Sequence, residues 1–214
     1  MQEISFINQV SRLALAFLNN LAFLPIVLAI GIVIGILLAI VRFHKVPVLS
    51  QLATIFVEVI RGSPFLMIVF VIYFGLPYLG IKFDSIQTAI IVLSITSTAY
   101  LSEVFRSGLL AVDKGQYEAS DALGLNFYKK YTLVILPQVM KITMPSIVGQ
   151  IVMTIKDTSI VSLVGVVEIV RTSRQIMQLT HRPLEAFGIV ACFFILVCYP
   201  LISFSKRLEK RNER

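Results

Sequence analysis

Charged residues divide this chain into long apolar stretches. No Asp, Glu, Lys or Arg falls between Arg12 and Arg42, between Arg61 and Lys82, between Asp84 and Glu103, or between Glu185 and Lys206. Each gap supplies the ~20 residues that a helix needs to cross the hydrocarbon core of a bilayer. A fifth stretch, Ile142 to Ile155, is shorter and is bracketed by Lys141 and Lys156. Their aliphatic stems let the ammonium groups reach the interface, so this stretch also crosses. The pattern predicts an all-α integral membrane protein, one domain over residues 1–214, with spans at roughly 17–42, 52–79, 86–111, 138–157 and 186–206. Pro145 predicts a local distortion, because neighbouring helices satisfy the carbonyl it frees.

The longest polar connection is 112–137. It reads as two short helices, Gln116 to Leu123 and Phe127 to Ile135, separated at Gly124. Gly124 suits a left-handed C-terminal cap and Asn126 suits the N-cap of the next helix, while Pro137 ends the unit or opens the following span.

Charge sets the orientation. One side carries Arg42, Lys45, Lys114, Lys129, Lys130, Lys141, Lys206, Arg207, Lys210, Arg211 and Arg214; the other carries Arg12, Lys82, Arg171, Arg174 and Arg182. By the positive-inside rule the richer side is cytoplasmic, with the N-terminus outside and the C-terminus inside; Arg171, Arg174 and Arg182 run against it. Composition agrees with lipid as solvent: 57% of residues are hydrophobic, 14% are charged, and the mean hydropathy is +0.88. A soluble domain carries about 25% charged residues. The net charge of +7 does not indicate nucleic acid, since the cations lie between and after apolar runs, where they set topology or meet lipid headgroups. Cys192 and Cys198 lie on different faces of the last apolar run, so neither a disulfide nor a metal site is expected. The N-terminal segment has Arg12 as its only cation and no small-residue cleavage pattern, so no signal cleavage is expected.

Catalytic signatures are absent. No glycine precedes a lysine, which excludes a Gly-x4-Gly-Lys phosphate loop, and His44 and His181 fall in loops on opposite sides. What the spans do carry is polar residues at helical spacing. Thr143, Ser146, Gln150, Thr154 and Asp157 recur at three- and four-residue steps, as do Thr96, Tyr100, Glu103 and Ser107. Such stripes line a polar path or serve close helix packing and interhelical hydrogen bonds. Glu58 with Arg61, and Glu103 with Arg106, are spaced as structural ion pairs, and Asp157 beside Lys156 also reads as an interfacial pair. Two other classes remain open on these features: an ion-coupled secondary transporter using Glu58, Glu103 and Asp157, and a membrane scaffold. The first predicts repeated broken helices in two related halves, of which the sequence shows no trace.

The order of several short motifs resembles one family. Arg61-Gly62-Ser63-Pro64 is followed by Ala99-Tyr100 with Glu103 and Arg106, then Gly115-Gln116-Tyr117-Glu118-Ala119-Ser120. Gly124, Leu136-Pro137-Gln138 and Lys156-Asp157-Thr158-Ser159-Ile160 come next. This series resembles the binding-protein-dependent ABC importer permeases, most closely their polar amino acid branch (the histidine, glutamine, arginine and cystine type), with its EAA loop. The departures are small: Ser63 for threonine, Ser120 for the second alanine and Ile160 for leucine. The resemblance implies the transmembrane domain of a type I ABC importer in a bacterial inner membrane. It implies a second permease subunit, identical or paralogous, a cytoplasmic ABC ATPase dimer and an extracytoplasmic amino-acid-binding protein. It assigns ATPase coupling to Gly115, Gln116, Glu118, Ala119, Ser120 and Gly124. The substrate path is expected to use Gln150, Thr154, Asp157, Glu103, Thr96 and Ser159. This chain is expected to be no enzyme and to bind no cofactor or metal, ATP and magnesium residing on the partner ATPase.

Overall fold

In the computed structural model, which describes residues 5–212, the apolar stretches are helical, and no strand occurs among the described residues. Helix α1 (Phe6–Ala22) leads almost directly into α2 (Leu24–Phe43), with Phe23 alone between them. Pro25 sits in the first turn of α2, where its missing N–H removes no helical hydrogen bond. The helix therefore begins well before residue 17. Gln9, Leu13, Ala16, Phe17 and Asn20 form its buried face. That face packs against α9 (Ile169–Thr180) and α10 (Pro183–Asn212) in a cluster with Ile169, Ile176, Ala186 and Val190.

The stretch 52–79 is not one straight span. Helix α3 (Leu49–Gly62) stops at Ser63, and α4 (Phe65–Phe70) restarts beyond Pro64 with an axis bent by 108°. Proline disfavours helical backbone in the residue before it, and Ser63 is extended at φ −95°, ψ 138°. The Ser63 hydroxyl donates to the carbonyl of Val59 at 2.7 Å and covers one of the orphaned carbonyls of α3. Beyond α4 the chain widens into a π-helical turn, Val71–Gly75, and tightens to a 3₁₀ turn, Leu76–Leu79.

Helix α5 (Ser85–Ala111) starts from a capping box in which Asp84 and Gln87 satisfy each other's backbone N–H groups. After it come α6 (Lys114–Ala122), α7 (Phe127–Lys129), a π-helical turn Lys130–Ile135, and α8 (Leu136–Asp157). The second short helix of the polar connection is thus the opening of the next span, with Pro137 tolerated in the first turn of α8. A 3₁₀ turn, Ile160–Val164, closes α8. Among the described residues, four continuous helices are long and apolar enough to cross a membrane: Phe6–Phe43, Ser85–Ala111, Phe127–Val164 and Pro183–Lys210. The bent α3–α4 pair makes up to five.

Helix α5 is the centre of the bundle, packed by α2, α3 and α8. A Cβ at Gly31 of α2 would lie 3.1 Å from the Ser97 Cβ, and one at Gly35 would lie 3.2 Å from the Ser102 backbone N. In lipid, helices associate through such close packing, because the tails are as apolar as leucine. Across the other face of α5, a Cβ at Gly108 would overlap Thr143 Cγ2 of α8 and lie 3.0 Å from Val139 Cγ1. The bundle has a loop end, with His44 and residues 112–126, and a far end, with Gly80, Gly165 and Thr180.

Candidate functional site

At the loop end, α6 is held as a rigid platform. The Asp113 carboxylate caps it by accepting from Gly115 N at 2.7 Å. The Tyr117 ring stacks on Phe43 of α2, and its hydroxyl donates to the carbonyl of Leu109 at 2.8 Å. Ser120 is buried and donates to the Gln116 carbonyl at 2.6 Å, so its small size serves a close contact. Lys130 pairs with Asp121 at 2.5 Å, and the Gln138 amide donates to Gln116 Oε1 at 3.0 Å. Gly124, at φ +67°, turns the chain in the left-handed region that glycine enters without steric cost. Asn126 then caps α7 by accepting from Lys129 N at 2.9 Å.

An aromatic box seats the platform on α2. His44 hydrogen-bonds the Tyr131 hydroxyl and packs on Phe127, which itself stacks on Tyr131 with centroids 4.5 Å apart. Burial, helped by the nearby Lys130 cation, holds the His44 imidazole below its ordinary value of 6.5. The outward surface is chemically different. Gly115, Gln116, Glu118 and Ala119 are exposed, beside Leu123 at 77% and Tyr128 at 74% exposure. Glu118 forms no ion pair among the described residues. Small residues, two large apolar groups and one free carboxylate on a braced helix are suited to receiving another protein.

Above the platform, Glu103 of α5 is the centre of a charged hub. It accepts from Arg42 of α2 at 2.9 Å and from Arg106 on its own helix, and Arg61 of α3 approaches to 3.8 Å. Arg42 also donates to Thr54 of α3 at 3.3 Å, so one guanidinium joins three helices. Arg61 further lies over the Tyr100 ring, 5.6 Å from its centroid. The expected Glu58–Arg61 pair does not form: Glu58 faces outward from α3, while Arg61 turns toward α5. Spacing within one helix does not reveal which face a neighbouring helix will cover.

The polar stripe of α8 divides. Thr143, Gln150 and Thr154 are buried, whereas Ser146 is exposed. Thr154 meets Ser97 of α5 at 3.2 Å, donates to the Gln150 carbonyl at 3.0 Å and lies 3.4 Å from Gln150 Nε2. Thr96 is buried with its hydroxyl unpartnered, Ser107 is exposed, and Asp157 is half-buried. The Ser159 hydroxyl donates to the Lys156 carbonyl at 2.7 Å. Gln150 and Thr154 thus belong to the α5–α8 seam, with Asp157 just beyond it.

At the far end lies a buried network that periodicity did not single out. Asn20 of α1 donates to Thr158 Oγ1 at 2.9 Å and to Glu168 Oε2 at 3.0 Å, and accepts from Ile169 N at 3.1 Å. Glu168 caps α9 by accepting from Arg171 N at 2.7 Å. All three side chains are fully buried. Burial pushes the Glu168 carboxyl up, against the lowering effect of the hydrogen bonds it accepts. The available signal was a carboxylate set among Val166, Val167, Ile169 and Val170, and Asn20 on the face shared by Leu13 and Phe17. Arg171 donates to the Gly165 carbonyl and Arg174 to Ser162 Oγ, so both are bound into the α8–α9 connection. Arg214, on the richer side of the count, lies outside the described residues.

Comparison with known proteins agrees with this geometry. Residues 31–214 match the family described as binding-protein-dependent transport system inner membrane component. The chain is 36% identical to the probable glutamine ABC transporter permease protein GlnP of Bacillus subtilis, covering 97% of this chain and 99% of that protein. It is also 36% identical to the glutamine transport system permease protein GlnP of Escherichia coli K12, covering 86% and 85%. In structure it resembles a chain of an amino acid ABC transporter crystallised with histidines, at a TM-score of 0.84 and 27% identity, covering 98% of this chain and all of that one. The fold is also that of a chain of the MetNI methionine ABC transporter, at a TM-score of 0.76 and 18% identity, with 94% and 95% covered. A bundle centred on α5, with a braced helical loop at one end, is therefore a multi-pass membrane component, and the chain belongs to the family of binding-protein-dependent transport system inner membrane components.

Proposed function

We propose that this chain is the permease subunit of an ATP-driven amino acid importer, with the loop end in the cytoplasm. The braced loop carries the reading. A helix fixed by an aromatic box, and bearing an exposed Glu118 with Ala119 and Leu123, transmits force only if something grips it. The partner gripping it is an ABC ATPase, which supplies nucleotide, magnesium and hydrolysis. A second permease subunit completes the path, and an extracytoplasmic binding protein delivers solute to the far end. Glu118 makes a charge-assisted contact with the ATPase, while Gly115, Gln116, Ala119 and Gly124 allow close approach. Closing of the ATPases moves the loops and rocks the bundle.

The solute is an amino acid of the glutamine type, as in the relatives. In this reading Asp157 meets an α-ammonium group or a cationic side chain, and Gln150, two turns earlier, is neutral. A doubly cationic solute such as arginine would call for a second carboxylate there. Uptake of labelled glutamine, cystine and arginine checks this: glutamine or cystine is expected to exceed arginine, and a clear arginine preference removes the assignment. A secondary transporter fits less well, since Glu58 is exposed and Glu103 is engaged by three arginines.

The deciding experiment is substrate-stimulated ATP hydrolysis in proteoliposomes holding this chain and its ATPase. Wild type supports coupled hydrolysis, and Glu118→Lys abolishes it at unchanged thermal stability. If neither protein binds the ATPase while the chain alone moves solute down an ion gradient, the importer reading is wrong.

A further inference from the structure

A cavity of about 400 Å³ opens at the far end beside the α8–α9 connection. Its polar lining is Ser162, Arg171, Arg174, Gln175 and Gln178, with backbone from Gly165. Residues 171, 174, 175 and 178 are spaced to form one stripe of α9, and no carboxylate lines the space. The two guanidiniums are held in place from behind: Arg171 by the Gly165 carbonyl and Arg174 by Ser162 Oγ. Each guanidinium has five N–H donors, and these contacts use one apiece. The remaining donors sit at the rim of a concave space large enough for a small zwitterion. Buried Glu168 lies near Arg174 but is already engaged by Asn20 and the α9 backbone.

We propose that this cavity is a carboxylate site at the mouth of the path, where an amino acid's α-carboxylate is held by Arg171 and Arg174 before the solute descends toward Asp157. The assignment rests on the importer reading, which puts the far end on the side where solute arrives. Planar guanidiniums match a carboxylate with paired, charge-assisted hydrogen bonds. The Gln175 amide adds a neutral donor and acceptor for a polar side chain, while Gln178 lies at the exposed edge. Continuity supports the role: Ser162 and Gly165 follow directly on Lys156-Asp157-Thr158-Ser159, the segment that carries the α-ammonium partner.

The test uses the chain with its ATPase in lipid nanodiscs, without binding protein. Saturation-transfer NMR follows L-glutamine, with L-glutaminamide, which lacks the α-carboxylate, as the control probe. Gln178 is exposed, so charge is varied there without disturbing the arginines. L-Glutamine is expected to bind and glutaminamide not to. Gln178→Glu is expected to weaken L-glutamine at least fivefold, while Gln178→Lys keeps or strengthens it. Equal response to both probes, or a Gln178→Glu affinity within twofold of wild type, overturns the site. The site is also overturned if Gln178→Glu changes only the concentration of binding protein that half-saturates ATP hydrolysis, since the stripe is then a docking surface. Binding-protein-stimulated hydrolysis in the same nanodiscs reports on the importer reading separately: its loss with glutamine binding intact removes that reading and leaves the carboxylate site.

Discussion

His44 joins a titration to the seating of the loop. Its imidazole is held below 6.5 by burial and by Lys130, so the folded chain binds fewer protons there than the unfolded one. The stabilisation is therefore complete above 6.5 and is lost as pH falls below it, through the lowered folded value. The Tyr131 hydroxyl, bonded to His44 Nε2, is suited to a neutral ring. Protection factors of the α6 amides, which remove the intrinsic pH dependence of exchange, are expected to fall between pH 7.5 and pH 5.5 in wild type. In His44→Gln the protection factors should be nearly the same at both values; an unchanged pH response in that variant would detach the effect from His44. Other single residues act through burial rather than charge. Asn20 bonds Thr158, Glu168 and the Ile169 N–H together, so an apolar replacement leaves the Ile169 N–H without this partner and takes one from Thr158 and Glu168, which keep the Ile155 carbonyl and the Arg171 N–H.

Among the elements, the α5–α8 crossing is tightly packed at Gly108 and sensitive to volume there. A methyl at Gly108 overlaps Thr143 Cγ2 and presses on Val139 Cγ1, and neither β-branched side chain can move away cheaply. Gly108→Ala is expected to cost about 1–3 kcal/mol through overpacking and to lower the melting temperature of the purified chain. Gly149→Ala is the control, since a Cβ there meets nothing within 4 Å. Equal melting temperatures for the two variants would mean that the crossing is looser than drawn. The elements also show how far sequence reading extends. Charge-free gaps locate helices because solvation of charge in lipid is so unfavourable, and Gly124 and Asn126 mark the loop because few residues suit those backbone positions. Periodicity on one helix places residues on a face without saying what covers it. It therefore grouped Ser146 with Gln150 and paired Glu58 with Arg61, where the structure exposes the first and turns Arg61 to Glu103. The Asn20–Thr158–Glu168 network joins residues about 140 positions apart, beyond the reach of any local pattern.

At the scale of the molecule, the loop, the hub and α8 are joined in series by contacts. Phe43 and His44, on which the loop is seated, end the helix whose Gly31 and Gly35 lock onto α5. Arg42, one position earlier, binds Glu103 on α5 and Thr54 on α3, with its own side chain only 8% exposed. A push on the loop therefore moves α2, α3 and α5 together, and α5 contacts the Gln150–Thr154 seam through Ser97. Glu103→Gln leaves Arg42 buried without its counter-charge, a loss of about 3–5 kcal/mol. Two readouts follow from that chain of contacts. Thermal stability falls in Glu103→Gln and in Arg42→Gln, and the double variant is less impaired than the sum of the singles, because the buried Arg42 charge is no longer left without its partner. In proteoliposomes that still bind the ATPase, the single variants are expected to transport fewer solute molecules per ATP hydrolysed. A hub that serves stability alone would lower the amount of active complex and leave that ratio unchanged. A wild-type ratio in both single variants would therefore remove Glu103 from the coupling route and leave the glycine-locked contact of α2 with α5 as its carrier.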